Sequence, residues 1–120
     1  MAFVRLDGNL RPGPTSLTCR IWPARGRTLE RIELSVASYR ALGEPRAVFY
    51  EWDDAESLLR IGATSPTDSS ARRVAEHRRV SFSGVPDAVG LHFPEPVSVH
   101  LAKDGHLALI ANLSEYRSRP

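Results

Sequence analysis

Apolar and polar residues alternate with period two over much of the chain, the spacing that puts one face of a β-strand into a core and the other into solvent. Residues 3–6 form the first such run and stop at Asp7-Gly8, and Arg11-Pro12-Gly13-Pro14 then sets a loop. Residues 17–22 follow, with Leu17, Cys19 and Ile21 on one side and Pro23 as terminator; the basic, glycine-containing stretch 24–27 connects onward. Arg31-Ile32-Glu33-Leu34 predicts another strand. Ser35 is placed to cap a helix of two turns over 36–42, because its hydroxyl can accept from a free N–H of the first turn, and Gly43 and Pro45 stop that helix. Residues 47–52 are rich in β-formers, 53–57 are a polar turn, and 58–62 are the returning strand. Pro66 and the serines and threonines of 63–70 predict a solvated linker.

The same order then recurs. Residues 73–82 predict one long strand, 83–89 a short segment closed by Gly90-Leu91, and 97–102 a further strand. Asp104-Gly105 predicts a two-residue type I′ turn leading into 106–111, a register that pairs His106 with Lys103 and His100 with Leu109. The polar tail 114–120 is expected to fray. Laying Arg31-Ile32-Glu33-Leu34-Ser35 over Arg79-Val80-Ser81-Phe82-Ser83 brings one apolar hairpin over the other and sets Gly43 against Gly90. The expected fold is therefore α+β: a duplicated β-helix-β-hairpin unit forming a pseudo-twofold, mainly antiparallel β domain with two short helices. The repeats run over about 29–62 and 75–112 of a single domain, 1–120, and two copies are a duplication rather than a solenoid.

Arg31-Ile32-Glu33-Leu34-Ser35-Val36-Ala37-Ser38-Tyr39-Arg40-Ala41-Leu42-Gly43 resembles the start of an AbrB/MraZ-type module of the SpoVT-AbrB superfamily. The matching positions are Arg31, Ile32, Leu34, Ala41, Leu42, Gly43 and, at the hairpin, Val48. The resemblance covers about 29–62 and, more faintly, 79–112. It implies a swapped-hairpin fold in which two modules interleave strands into a DNA-binding platform, here within one chain, and hence a non-enzymatic transcriptional regulator. Ser35 stands where that family usually has proline, Tyr39 where a helix arginine is frequent, and Glu44-Pro45-Arg46 replaces the usual Gly-Asp. A duplicated sheet of the TATA-binding-protein kind gives nearly the same order of elements.

Composition sharpens this in places. Among 120 residues, 42% are hydrophobic, enough for one modest core, and a domain of this size gains from homodimerisation or internal symmetry. No apolar run approaches the ~20 residues that span a bilayer. Residues 1–11 lack the pattern of a secretory leader, and the lone Cys19 suits a reducing compartment, so a cytoplasmic location away from membranes is expected. Fifteen arginines stand against one lysine, Lys103, a bias that a GC-rich genome imposes and that points to an actinobacterial or phage origin. The net charge of +2 is unevenly spread: residues 1–50 carry +4, 51–71 carry −4, 72–79 carry +3 and the remainder −1.

Within 72–79 lies the best binding candidate, Arg72, Arg73, Arg78 and Arg79. On a single strand, Arg73, His77 and Arg79 would share one face and could meet successive phosphates or enter a major groove. Arg27 and Arg31, with Arg20 and Arg25, add to the same field. The competing reading of that strand is a charged edge that blocks aggregation. Chemical motifs are weak by comparison. His77, His92, His100 and His106 show no zinc spacing, Asp53, Asp54 and Glu56 lack the glycine and distal glutamate of a calcium loop, and Gly8, Gly13 and Gly26 form no phosphate loop. No catalytic residue, metal or cofactor is therefore expected. Two functions remain in view: a DNA-binding regulator, and a protein-binding module such as an adaptor, an inhibitor of a host or defence protein, or an assembly subunit. The acidic middle and the modest net charge favour the second.

Overall fold

The period-two runs do form strands, and nearly every strand lends its apolar side to one shared interior. The computed structural model describes residues 16–118, so the expected strand at 3–6 lies outside the described residues. In chain order the elements are β1 (Thr18–Trp22), β2 (Arg31–Leu34), α1 (Val36–Ala41), β3 (Ala47–Asp53), β4 (Leu58–Thr64), β5 (Arg72–Ala75), β6 (Arg79–Ser81), α2 (Val85–Val89), β7 (Val97–His100), β8 (Ala102–Lys103) and β9 (Ala108–Asn112). The protein is thus mostly antiparallel β with two short helices.

Among the described residues all nine strands belong to one sheet, ordered β7-β1-β2-β6-β5-β3-β4-β9-β8, and every pairing is antiparallel. Its two ends, β7 and β8, are consecutive in the chain and separated by Leu101 alone. One bent stretch therefore pairs with β1 on one side and with β9 on the other, and the sheet curls until it nearly closes. Closure removes most of the free edge that would otherwise template aggregation. The interior is filled by Cys19 and Ile21 of β1, Ile32 and Leu34 of β2, Val48 of β3, Leu59 and Ile61 of β4, Val80 of β6, Val99 of β7, and Leu109 and Ala111 of β9, joined by Phe82, Leu91, Phe93 and Leu113.

The helix after β2 forms where its caps place it. Ser35 Oγ accepts from Ser38 N at 3.1 Å, and Gly43 adopts φ +80°, a left-handed conformation that costs glycine little. Ser38 is fully buried and donates its hydroxyl to Thr18 O at 2.8 Å, which ties α1 to the end of β1. After α2, Gly90 closes the helix in the same way, with φ +74°.

Three local expectations are corrected. Residues 73–82 are not one strand but a hairpin: β5 and β6 pair with each other through Val74↔Val80 and Ala75↔Arg79. Glu76-His77-Arg78 makes the turn, with φ +58° at His77 and +57° at Arg78. Val74 and Val80 keep the same parity on either reading, so alternation alone could not separate a ten-residue strand from a hairpin. Asp104-Gly105 is not a two-residue turn. Lys103 pairs with Leu109, Asp104 N donates to Ala108 O at 3.0 Å, and Gly105 and Leu107 both take positive φ. His106 consequently faces no Lys103, and His100 pairs with Thr18 instead of Leu109. The tail is docked through residue 118. Tyr116 packs on Phe93 with ring centroids 4.9 Å apart, and Ser118 N donates to Gly90 O at 2.7 Å.

Candidate nucleic-acid interface

Four neighbouring strands, β1, β2, β6 and β5, decide where the arginines go. Because side chains alternate across a strand, burying Cys19, Ile21, Ile32, Leu34 and Val80 and packing Val74 against them forces their neighbours outward. The outer side thereby presents Arg20 and Trp22 from β1, Arg31 and Glu33 from β2, Arg79 and Ser81 from β6, and Arg73 and Ala75 from β5. Four guanidinium groups share this surface with one carboxylate. In the connection between β1 and β2, Arg25 and Arg27 are both exposed, on a turn closed by reciprocal Arg25–Thr28 backbone bonds of 2.8 and 3.0 Å.

Trp22 organises one side of this surface. It pairs in register with Arg31, whose Cζ lies 4.6 Å from the ring centroid, and Arg20 Cζ lies 4.9 Å from the same ring. Contacts of this kind hold a guanidinium plane in place by about 0.5–1 kcal/mol at exposed sites and leave its N–H edge free to donate. Glu33, opposite both Arg20 and Arg79, reaches Arg79 Nε at 3.9 Å. The ion pair is half exposed and weak, so it does not prevent either arginine from meeting another anion.

The seven residues singled out from the sequence separate into two groups. Arg27, Arg31, Arg73 and Arg79 are on or beside the basic surface, and His77 is exposed at the apex of the β5–β6 turn. Arg72 and Arg78 are tied to backbone carbonyls, Arg78 at the end of β2 beside Arg20 and Glu33. Arg72 is half-buried: its Nη1 donates to Ser83 O at 3.0 Å, and its Cζ lies 5.3 Å from the Tyr50 ring. Arg78 Nε donates to Leu34 O at 2.9 Å. Both guanidiniums satisfy backbone carbonyls. The contribution of Trp22 was missed as a site feature. Its signal was the alternation Cys19-Arg20-Ile21-Trp22, which puts an aromatic and an arginine side by side on the solvent face.

Other chemistry-bearing groups make contacts within the fold. Asp53 Oδ1 accepts from Glu56 N at 3.1 Å, and Asp54 Oδ1 accepts from Trp52 Nε1 at 3.2 Å and from Arg117 Nη2 at 2.9 Å, so the acidic turn is knitted together internally. Arg60 bridges Glu51 at 3.0 Å and Asp104 at 2.7 Å on the far side of the barrel. Burial pushes the Cys19 thiol up to about 12. An open groove of about 550 Å³ runs between β3 and α2, lined by Tyr50, Trp52, Arg72 and Val89 among others. Tyr50 donates its hydroxyl to Ser81 O at 2.9 Å, and desolvation raises its pKa well above the ordinary phenol range, against the opposing pull of Arg72. Among the described residues, no three His, Cys, Asp or Glu side chains are grouped so as to hold a metal ion, and no helix is long and apolar enough to cross a membrane. No family model, curated protein or solved structure matches the chain.

Proposed function

We propose that this chain is a DNA-binding protein of the transcriptional-regulator type, built from two copies of a strand-strand-helix-hairpin unit, and that it docks through the outer face of β1, β2, β6 and β5. The observation that carries the functional reading is the layout of that face: Arg20, Arg31, Arg73 and Arg79 on four adjacent strands, with Glu33 as their one acidic neighbour on those strands' outer side. Contiguous arginines on a scaffold of paired strands supply the phosphate contacts from which protein–DNA affinity is largely made. The competing protein-partner reading calls for a contiguous apolar patch. Among the described residues the most exposed large hydrophobics are Leu29, Val36 and Leu107, which sit in the β1–β2 connection, at the start of α1 and in the β8–β9 turn.

The two-unit reading is supported by strand register. Exchange β1 for β5, β2 for β6, β3 for the β7–β8 stretch, and β4 for β9. Each pairing then lands on another of the same kind: Ile21↔Ile32 on Val74↔Val80, Val48↔Arg72 on Val99↔Cys19, and Trp52↔Leu59 on Lys103↔Leu109. The β2–β6 and β4–β9 pairings land on themselves, centred on Ile32↔Val80 and Arg60↔Ile110. Backbone details follow the same exchange. Ala63 N donates to Leu107 O at 3.0 Å and Leu113 N to Ser57 O at 2.9 Å, and Ser57 and Leu107 both take φ +55°. The alignment of Arg31 with Arg79 belongs to this set.

Binding of random-sequence duplex at two salt concentrations tests the function. Affinity should fall steeply with salt, with a log-log slope of about −0.9 per phosphate neutralised. The double variant Arg73→Ala/Arg79→Ala should bind more weakly and reduce that slope by about two, with little change in melting temperature. Absence of binding at low salt, or binding indifferent to salt and to both arginines, would return the choice to a protein partner.

A further inference from the structure

The exchange that relates the two halves also relates the arginines. Arg31 corresponds to Arg79 and Arg20 to Arg73, so the basic surface is two pairs of guanidiniums about an axis through the Ile32↔Val80 pair. The partners of the remaining outward residues differ: Ser81 takes the place of Glu33, and Ala75 that of Trp22. What the axis repeats on this surface is the arginines.

We infer that one chain reads duplex DNA at an inverted repeat, with β2 and β6 entering the major groove and Arg31 and Arg79 contacting equivalent bases in the two half-sites. This rests on the DNA-binding reading above and adds the symmetry of the target. B-form duplexes carry twofold axes perpendicular to their length, and a protein surface with the same symmetry makes each of its contacts twice on a palindromic sequence. The major groove admits two antiparallel strands, and β2 and β6 are such a pair at the centre of the curled β1-β2-β6-β5 stretch. Arg31 and Arg79 lie on adjacent strands, offset along them by two residues. Strand spacings of about 4.8 Å sideways and 3.4 Å per residue put their Cα atoms about 8 Å apart. Bases rise by about 3.4 Å per step, so that separation matches contacts two to three steps apart across the axis. Each arginine offers the fork that matches guanine O6 and N7. The sheet curls away on both sides, which turns Arg20 and Arg73 on the next strands toward the flanking backbones, where they would take phosphates.

The experiment is selection of the full chain on a randomised duplex pool, followed by titration of the enriched duplex with wild type, Arg31→Ala and Arg79→Ala. The expected result is an inverted repeat bound by one chain, with a guanine in each half. Each alanine variant should lose about tenfold in affinity, and each should become indifferent to base changes in one half-site, the two variants in opposite halves. Arg31→Lys and Arg79→Lys, which keep the charge without the fork, should retain the salt slope and show the same half-site indifference. Salt-dependent binding with no inverted repeat, or both variants going blind to the same half, overturns this inference and leaves the DNA-binding reading standing. No binding of random duplex at low salt removes both.

Discussion

Phe49 of β3 stands directly opposite Gly62 of β4, and its ring occupies the space that a Cβ at position 62 would need. The ring covers the backbone of its partner strand on the outer side of the sheet. Gly62 is itself buried, and its backbone conformation is one that other residues also adopt. The requirement for glycine here is thus one of space.

Gly62→Ala should therefore destabilise the protein by about 1–3 kcal/mol, the usual cost of forcing a packed side chain aside. Placing the same change in a Phe49→Ala background should cost much less, because the obstructing ring is gone. Urea denaturation of the two single variants and the double variant measures the coupling. Additive effects would mean that the ring moves away freely.

His77 takes φ +58° in the β5–β6 turn and is exposed. A non-glycine residue there carries a penalty of about 1–2 kcal/mol that glycine escapes, partly offset by the greater freedom of glycine in the unfolded chain. His77→Gly is expected to raise stability by about 0.5–1 kcal/mol, read as an increase in the denaturation midpoint. A decrease would show that the imidazole makes a stabilising contact of its own.

Burial raises the Cys19 thiol from an ordinary value of 9.0 to about 12, so the folded protein holds this proton more tightly than the unfolded chain does. The linked stability is fully present below pH 9 and is lost as pH rises from 9 towards 12. Wild type should lose stability across that window more steeply than Cys19→Ala, compared by denaturation at successive pH values. A thiol-labelling reagent at pH 8 should react at a rate set by unfolding, and rapid labelling of the folded chain would contradict the buried placement.

Arg117 fastens the end of the described chain to the β3–β4 turn. It donates to Asp54 O at 3.1 Å, Ser57 Oγ at 3.0 Å and Asp54 Oδ1 at 2.9 Å, and its Cζ lies 5.4 Å from the Trp52 ring. The group is partly exposed, so Arg117→Ala should cost only about 1 kcal/mol. The tryptophan emission should shift as Trp52 loses its cover. An unchanged spectrum together with unchanged stability would mean that this contact does not hold the segment.

Local chemistry along the chain was enough to place much of this fold. The helix over 36–41 was legible because Ser35 and Gly43 act on the residues beside them, the strand expected at 17–22 because it alternates, and those expected at 47–52 and 58–62 because β-forming residues flank a polar turn. The hairpin inside 72–81 was not, because Glu76-His77-Arg78 contains neither glycine nor proline and parity is unchanged across it. Its left-handed residues are held by pairing with β2 on one side and β3 on the other, partners far away in sequence. The same pairings decide which arginines are free. Arg78 is tied down because Leu34 O lies within reach of its guanidinium, whereas Arg79, one residue on, points outward because Val80 next to it is buried. Sequence determined where strands and caps could form, through interactions a few residues long. Which charges reach solvent together was decided only when the sheet curled to bury its apolar side, a requirement imposed by the whole interior at once.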